Sequence, residues 1–230
     1  MQSLADWIAV PTYYNRHNSM KRFPFSHLKP KMGWITASLI YNPHCSLPPT
    51  VWHTITLEIE PIELGSDAVM PEHQKAVDSQ VIFDGLPIKA ATWNSMDGTY
   101  SFGDEQNGSF YVSFAHNPVT VRELSLRYRG GTAYDVDATA TFHFEYEDSG
   151  YADETTRLVF PAVYTGFSFS VPHWSNPANV SLPPEWGVPS TAPEWPSNTI
   201  RDFVQKHFDL SQFAEVTIED RTLHAKPTTA

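Results

Sequence analysis

Residues 137–146 alternate without a break: Ala138, Ala140, Phe142, Phe144 and Tyr146 point one way, and Asp137, Thr139, Thr141, His143 and Glu145 the other. A period of two can bury one face only as a β-strand, because a helix would spread these side chains around its circumference. The same rule governs residues 51–59, where Val51, His53, Ile55, Leu57 and Ile59 oppose Trp52, Thr54, Thr56 and Glu58. Phe110, Val112 and Phe114 obey it, as do Phe167, Phe169 and Val171. One apolar and one polar face per strand is the pattern of antiparallel sheet with one side in water. The parity slips between Val121 and Leu124, which predicts a β-bulge near Arg122.

Turn chemistry agrees. Asp97-Gly98 and Asn107-Gly108 predict hairpins, since both central residues of a type I′ turn need positive φ. Gly130-Gly131 and Asp148-Ser149-Gly150 are further turn signals. Ser197-Asn198-Thr199 offers helix caps ahead of Ile200, Phe203, Val204 and His207, which predicts one amphipathic helix over about 199–208. Val216 and Ile218 suit a last short strand. The fold class expected is mainly β: an antiparallel β-sandwich or jelly-roll-like barrel with one C-terminal α-helix. All 230 residues then form one β-rich domain: a basic and aromatic segment (1–34), a sheet core (35–171), a Pro/Trp-rich segment packed on the sheet (172–196), and a helix with a tail (197–230).

Charge is divided unevenly. Residues 1–57 hold five bases (Arg16, Lys21, Arg22, Lys29, Lys31) and one acid (Asp6), a formal +4. The remaining ten bases and twenty-five acids give −15, for a total of −11. An acidic body does not suit nucleic acid, whose phosphates demand clustered Lys and Arg. The exception is the N-terminal segment, where Tyr13, Tyr14, Phe23, Phe25 and Trp34 interleave with the bases, a pattern that binds single strands by charge and stacking. Docking of that segment on the acidic body is the blander expectation. Cys45 is the only cysteine, so neither an intrachain disulfide nor an all-Cys metal site can form. There is no basic leader and no run of about 20 apolar residues, so the expectation is a soluble, cytoplasmic chain with no membrane contact.

Common catalytic signatures are missing: no phosphate loop of the Walker type, no His-Glu-x-x-His and no Cys-x-x-Cys. His143 and Glu145 share one strand face and could ligate Zn²⁺ or Fe²⁺ if His53, His116 or His173 joined them. On a wet strand face they are more simply solvated residues. Asp135, Asp137, Glu145, Glu147, Asp148, Asp153 and Glu154 form an acidic run with no Lys or Arg among them. That run is either a solvated loop, a protein-binding patch centred on Asp148, Asp153 and Glu154, or a calcium loop. Trp174, Trp186 and Trp195 could stack on sugars, with packing on the sheet as the alternative. The function expected is a non-catalytic acidic interaction protein, of inhibitor, antitoxin or immunity type, bound to a protein with a basic surface and needing no cofactor. A carbohydrate-binding module, a metal-dependent β-barrel enzyme and a virion or assembly subunit are the alternatives.

Overall fold

The computed structural model describes residues 22–42, 47–63, 76–112, 115–144, 151–171 and 197–228. Alternating segments become strands: β1 (Pro30–Asn42), β2 (Leu47–Glu63), β3 (Ala76–Leu86), β4 (Gly98–Ser101), β5 (Gly108–Val112), β6 (Ala115–Gly130), β7 (Ala133–Phe142) and β8 (Glu154–Ser170). Helix α1 (Ser197–Gln205) and the pair β9 (Phe213–Glu219) and β10 (Thr222–Pro227) follow.

The fold is mainly β, and its sheet curls into a closed barrel. Strands β1, β2, β3, β5, β6, β7 and β8 pair in that order, and β8 returns to β1. Closure leaves neither of these two strands with a free edge. The ladders around the barrel are antiparallel except the closing one, which is parallel and sets Gly33 opposite Ala162 and Ser38 opposite Ser168. Gly33 makes that approach possible, because a Cβ there would lie 2.7 Å from the Phe160 ring. The bulge expected near Arg122 is present as a register shift between Val121 and Glu123. Two expected hairpins are not. Gly98 and Gly108 of the Asp97-Gly98 and Asn107-Gly108 pairs are the first residues of β4 and β5, and both strands pair with β6, as consecutive pieces along the same partner. Among the described residues, positive φ marks tight turns at Gly130-Gly131, with φ of 98° and 56°, and at Asp220-Arg221, with φ of 45° and 66°.

With β1 along one edge, strand β8 shares its other edge between two neighbours. Its first half pairs with β7, and its last residues, Phe167 to Ser170, pair with β10. The handover falls at Gly166, where φ is +155° and a Cβ would sit 2.7 Å from the Ala225 carbonyl oxygen. Gly166→Ala is therefore expected to cost about 2 kcal/mol, the scale of one strained backbone position, and to loosen β9–β10 first. Thermal unfolding with hydrogen exchange on β10 measures this; unchanged protection there would show that the two strands do not press together.

The barrel interior is filled by side chains. Ile35, Ile55, Val81, Phe83, Phe110, Val119, Val121, Leu124, Val136, Ala138 and Ala140 are all fully buried. Aromatic rings close both ends. At one end Phe23 stacks on Phe144 (4.9 Å) and meets Phe110 edge-on (5.4 Å), with Phe25 against Phe142 (4.9 Å). At the other, α1 buries Ile200, Phe203 and Val204, with Phe203 against Phe169 at 5.2 Å. Phe208 stacks on Phe167 at 4.6 Å just beyond the helix. The helix is shorter than the sequence predicts, and His207 lies past its end, exposed. No helix among the described residues is long and apolar enough to cross a membrane.

Candidate functional site

The outward side chains of β6, β7 and β8 form a polar network. Alternation sends Asp135, Asp137, Thr139, Thr141 and His143 to the outside of the barrel, next to outward residues of both flanking strands. Arg157 donates from Nε to Asp137 Oδ1 at 2.7 Å, and Arg127 Nε donates to Asp135 Oδ2 at 3.0 Å. The Arg157 guanidinium holds the Asp137 carboxyl below the usual carboxylate range. Arg129 adds a second cation at Asp135, 3.5 Å away. Arg122 pairs with Asp104 and donates to Thr141 Oγ1 at 3.3 Å, and the Thr141 hydroxyl bonds that of Thr155 at 2.8 Å. The acidic run is thus partly neutralised by arginines that lie outside it in sequence.

His143 occupies the end of this network. Its Nδ1 lies 2.9 Å from Asp153 Oδ2 and its Nε2 lies 3.0 Å from Thr120 Oγ1. Asp153 accepts from Nδ1–H, which leaves Nε2 to accept the Thr120 hydroxyl proton. Hydroxyl, imidazole and carboxylate in that order is the arrangement that activates a nucleophile. Here it does not present one, because Thr120 is 1% exposed and no substrate carbonyl can reach its hydroxyl. The chain of bonds is a clamp that ties β6 to the segments after β7 and before β8.

The candidate metal ligands are not assembled among the described residues. Both ring nitrogens of His143 are already engaged, so a metal would have to displace Asp153 or Thr120. His53 points into the barrel, on the face opposite His143, and is fully buried. His116 is exposed and bonded through Nε2 to Ser109 Oγ at 2.7 Å. No group of three His, Cys, Asp or Glu side chains among the described residues could hold a metal ion. Glu145 and His173 lie outside the described residues, as do the proposed stacking residues Trp174, Trp186 and Trp195.

Of the three acidic candidates, Asp153 is exposed and bonded to His143. Glu154 is half-buried, with Oε2 sealed from solvent and unbonded, and Asp148 lies outside the described residues. In the described part of the basic segment, Phe23 is buried in the aromatic cluster. Lys29 and Lys31 pair with Glu60 (3.4 Å) and Glu58 (3.0 Å) of β2. Those two bases are used within the chain.

Sequence reasoning missed Thr120 and the arginines. Thr120 carries no signal, being one hydroxyl in a strand. Arg157 and Asp137 could have been matched, since both lie on polar faces of strands flanking one turn. No protein-family model, characterised protein or solved structure matches this chain.

Proposed function

We propose that this chain is a non-catalytic interaction protein whose acidic outer surface binds a protein with a basic surface, as an inhibitor, antitoxin or immunity-type partner would. The observation that carries this proposal is the filled barrel. Its lumen is occupied by fully buried apolar side chains, so recognition belongs to the outside of a chain whose formal charge is −11. Further support comes from the bases. Lys29, Lys31, Arg122, Arg127, Arg129, Arg157 and Lys226 all pair with carboxylates of the same chain, which leaves acids in surplus. A surplus of one sign steers an oppositely charged partner and repels wrong ones.

The test reverses charge at the β7–β8 connection. Asp148→Lys with Asp153→Lys is expected to slow association with a basic partner captured from native extract on the order of tenfold, because rim charges act on the on-rate. Stability should fall by about 1 kcal/mol, because Asp153→Lys removes the carboxylate that His143 binds, and Asp153→Asn, which keeps an acceptor there, separates that loss from the effect of charge. Stopped-flow association and thermal melts measure the two. Unaltered association would move the interface to another part of the surface.

A further inference from the structure

Two tryptophans face outward on adjacent strands. Trp34 of β1 and Trp52 of β2 are partly exposed, because alternation buries Ile35 and Ala37 on one strand and His53 and Ile55 on the other. The antiparallel register sets Trp34 opposite Thr56, Thr36 opposite Thr54, and Ser38 opposite Trp52. The indoles therefore stand on a diagonal, four residues along and one strand across, with Cα atoms about 14 Å apart. Between them lie the hydroxyls of Thr36, Thr54, Thr56 and Ser38. Trp52 keeps Nε1 sealed and unbonded, so what it offers a ligand is its ring.

The polar groups of this surface are arranged as acceptors and exchangeable hydroxyls. Thr54 donates to Asp84 Oδ1 at 2.5 Å, and the Gly85 N–H donates to the same oxygen at 2.8 Å. Asp84 Oδ2 makes no hydrogen bond among the described residues and stands open at the β3 side, an acceptor for a ligand hydroxyl. Thr36 is exposed, with its hydroxyl equally unengaged among the described residues. Ser38 shares a hydrogen bond with Ser168 of β8 at 3.0 Å. Residues 32–57 include no Lys or Arg, so no cation from this stretch neutralises Asp84. The exposed Met32, Ile40 and Val159 stand at the ends of the surface, outside the hydroxyl-lined centre.

We propose that this surface binds an uncharged oligosaccharide, stacked on Trp34 and Trp52 and hydrogen-bonded by Thr36, Thr54 and Asp84. Its chemistry and its size both select that occupant. A sugar ring carries an apolar C–H face, which suits an indole, and a rim of hydroxyls that donate and accept. A hydrocarbon would leave the threonine hydroxyls and the Asp84 carboxylate without partners, at a cost for each. An anion would meet Asp84 with no cation beside it. From Met32 to Ile40 the surface runs about 26 Å, and three strands make it about 14 Å wide. That falls well short of the roughly 800 Å² per partner of a stable protein interface, and it matches a short, extended ligand. Asp84 supplies the strongest single contact, because a hydroxyl donating to a carboxylate makes a charge-assisted bond.

An array of neutral, acidic and basic oligosaccharides probed with the full 230-residue chain tests this, followed by tryptophan-fluorescence titration of the neutral ligands it retains. Binding should be confined to neutral oligosaccharides, with a dissociation constant on the order of 0.1 mM, on the weak side of the micromolar range. It should hold when salt rises from 0.1 to 1 M, which cuts the Debye length from about 10 Å to about 3 Å. Contact through the acidic surface would weaken under the same change, so the two proposals fail separately. Trp34→Ala and Asp84→Asn should each weaken sugar binding about tenfold, the scale of one lost aromatic contact or one charge-assisted bond. Trp34→Phe keeps a ring and should retain most of the affinity, and far-UV circular dichroism should match in all three variants. An array with no neutral ligand, binding confined to charged sugars, or an affinity indifferent to both Trp34→Ala and Asp84→Asn overturns the proposal. So does binding lost in Trp186→Ala with Trp195→Ala but kept in Trp34→Ala, which moves the sugar to those other rings.

Discussion

Phe110→Ala is expected to lower the stability of the fold by about 3–5 kcal/mol, the cost of removing a fully buried ring whose surroundings cannot collapse into the space. Phe110 is the centre of the aromatic plug. Its ring lies 5.4 Å from both Phe23 and Phe142 and 6.1 Å from Phe144, each approached edge-on. The loss should be felt beyond β5, because Phe23 and Phe25 anchor the segment before β1 on this cluster. Urea unfolding with an unchanged m-value measures the effect, and cleavage within residues 22–28 should rise in parallel. Val159→Ala, at a 59% exposed position, should stay within about 0.5 kcal/mol and serves as the control. A loss below about 1.5 kcal/mol at Phe110 would show that the plug repacks.

Acid should weaken the same barrel through His53. This ring is fully buried, and neither nitrogen makes a hydrogen bond of normal geometry. Burial pulls its pKa from 6.5 down to about 4, and the Leu86 backbone beside it offsets only part of the drop. The folded state therefore binds a proton later than the unfolded state. Stability is full above pH 6.5 and falls as pH drops toward 4, by about 3 kcal/mol in total at 1.36 kcal/mol per pKa unit. His207, lowered by partial burial and by Lys206, leans the same way. Asp137 and Asp209 are also lowered, but as carboxylates they release their stability below the ordinary carboxylate range. The two windows are separable. His53→Leu should flatten the slope between pH 6.5 and 4, leave the lower limb intact, and raise stability at neutral pH by removing unbonded buried nitrogens. A slope that persists in His53→Leu would place the acid response elsewhere.

Local pattern made much of this architecture legible. The alternation of residues 51–59 and 137–142 became β2 and β7 with the predicted inward faces. The slip near Arg122 became a bulge. Even the β7–β8 register was implicit, since Ala133 with Val163 and Phe142 with Glu154 are both symmetric about position 148, where the turn signal stands. What the sequence could not disclose is nonlocal. Strands β4 and β5 share one partner, so Asp97-Gly98 and Asn107-Gly108 open strands instead of joining them as hairpins. Asp220-Arg221 makes a tight turn with no glycine to announce it. The clamp at His143 joins Thr120, 23 residues earlier, to Asp153, 10 residues later, and only the register of three strands brings them together. The choice between sandwich and barrel rested on whether β1 would meet β8, a pairing with no local signature.

That pairing also governs when the fold can exist. The closing contact between Ser38 and Ser168 spans 130 residues, so β1 must wait for nearly three-quarters of the chain before its second neighbour arrives. Ordering so long a loop is slow, and topologies dominated by distant pairings fold in milliseconds to seconds. During synthesis at about 5–20 residues per second, β1 presents an uncharged, unpaired edge for several seconds after it emerges. Neutral exposed edges are templates for pairing with other chains. Nascent chains that end before β8 should therefore aggregate or recruit chaperones, and chains that include it should not.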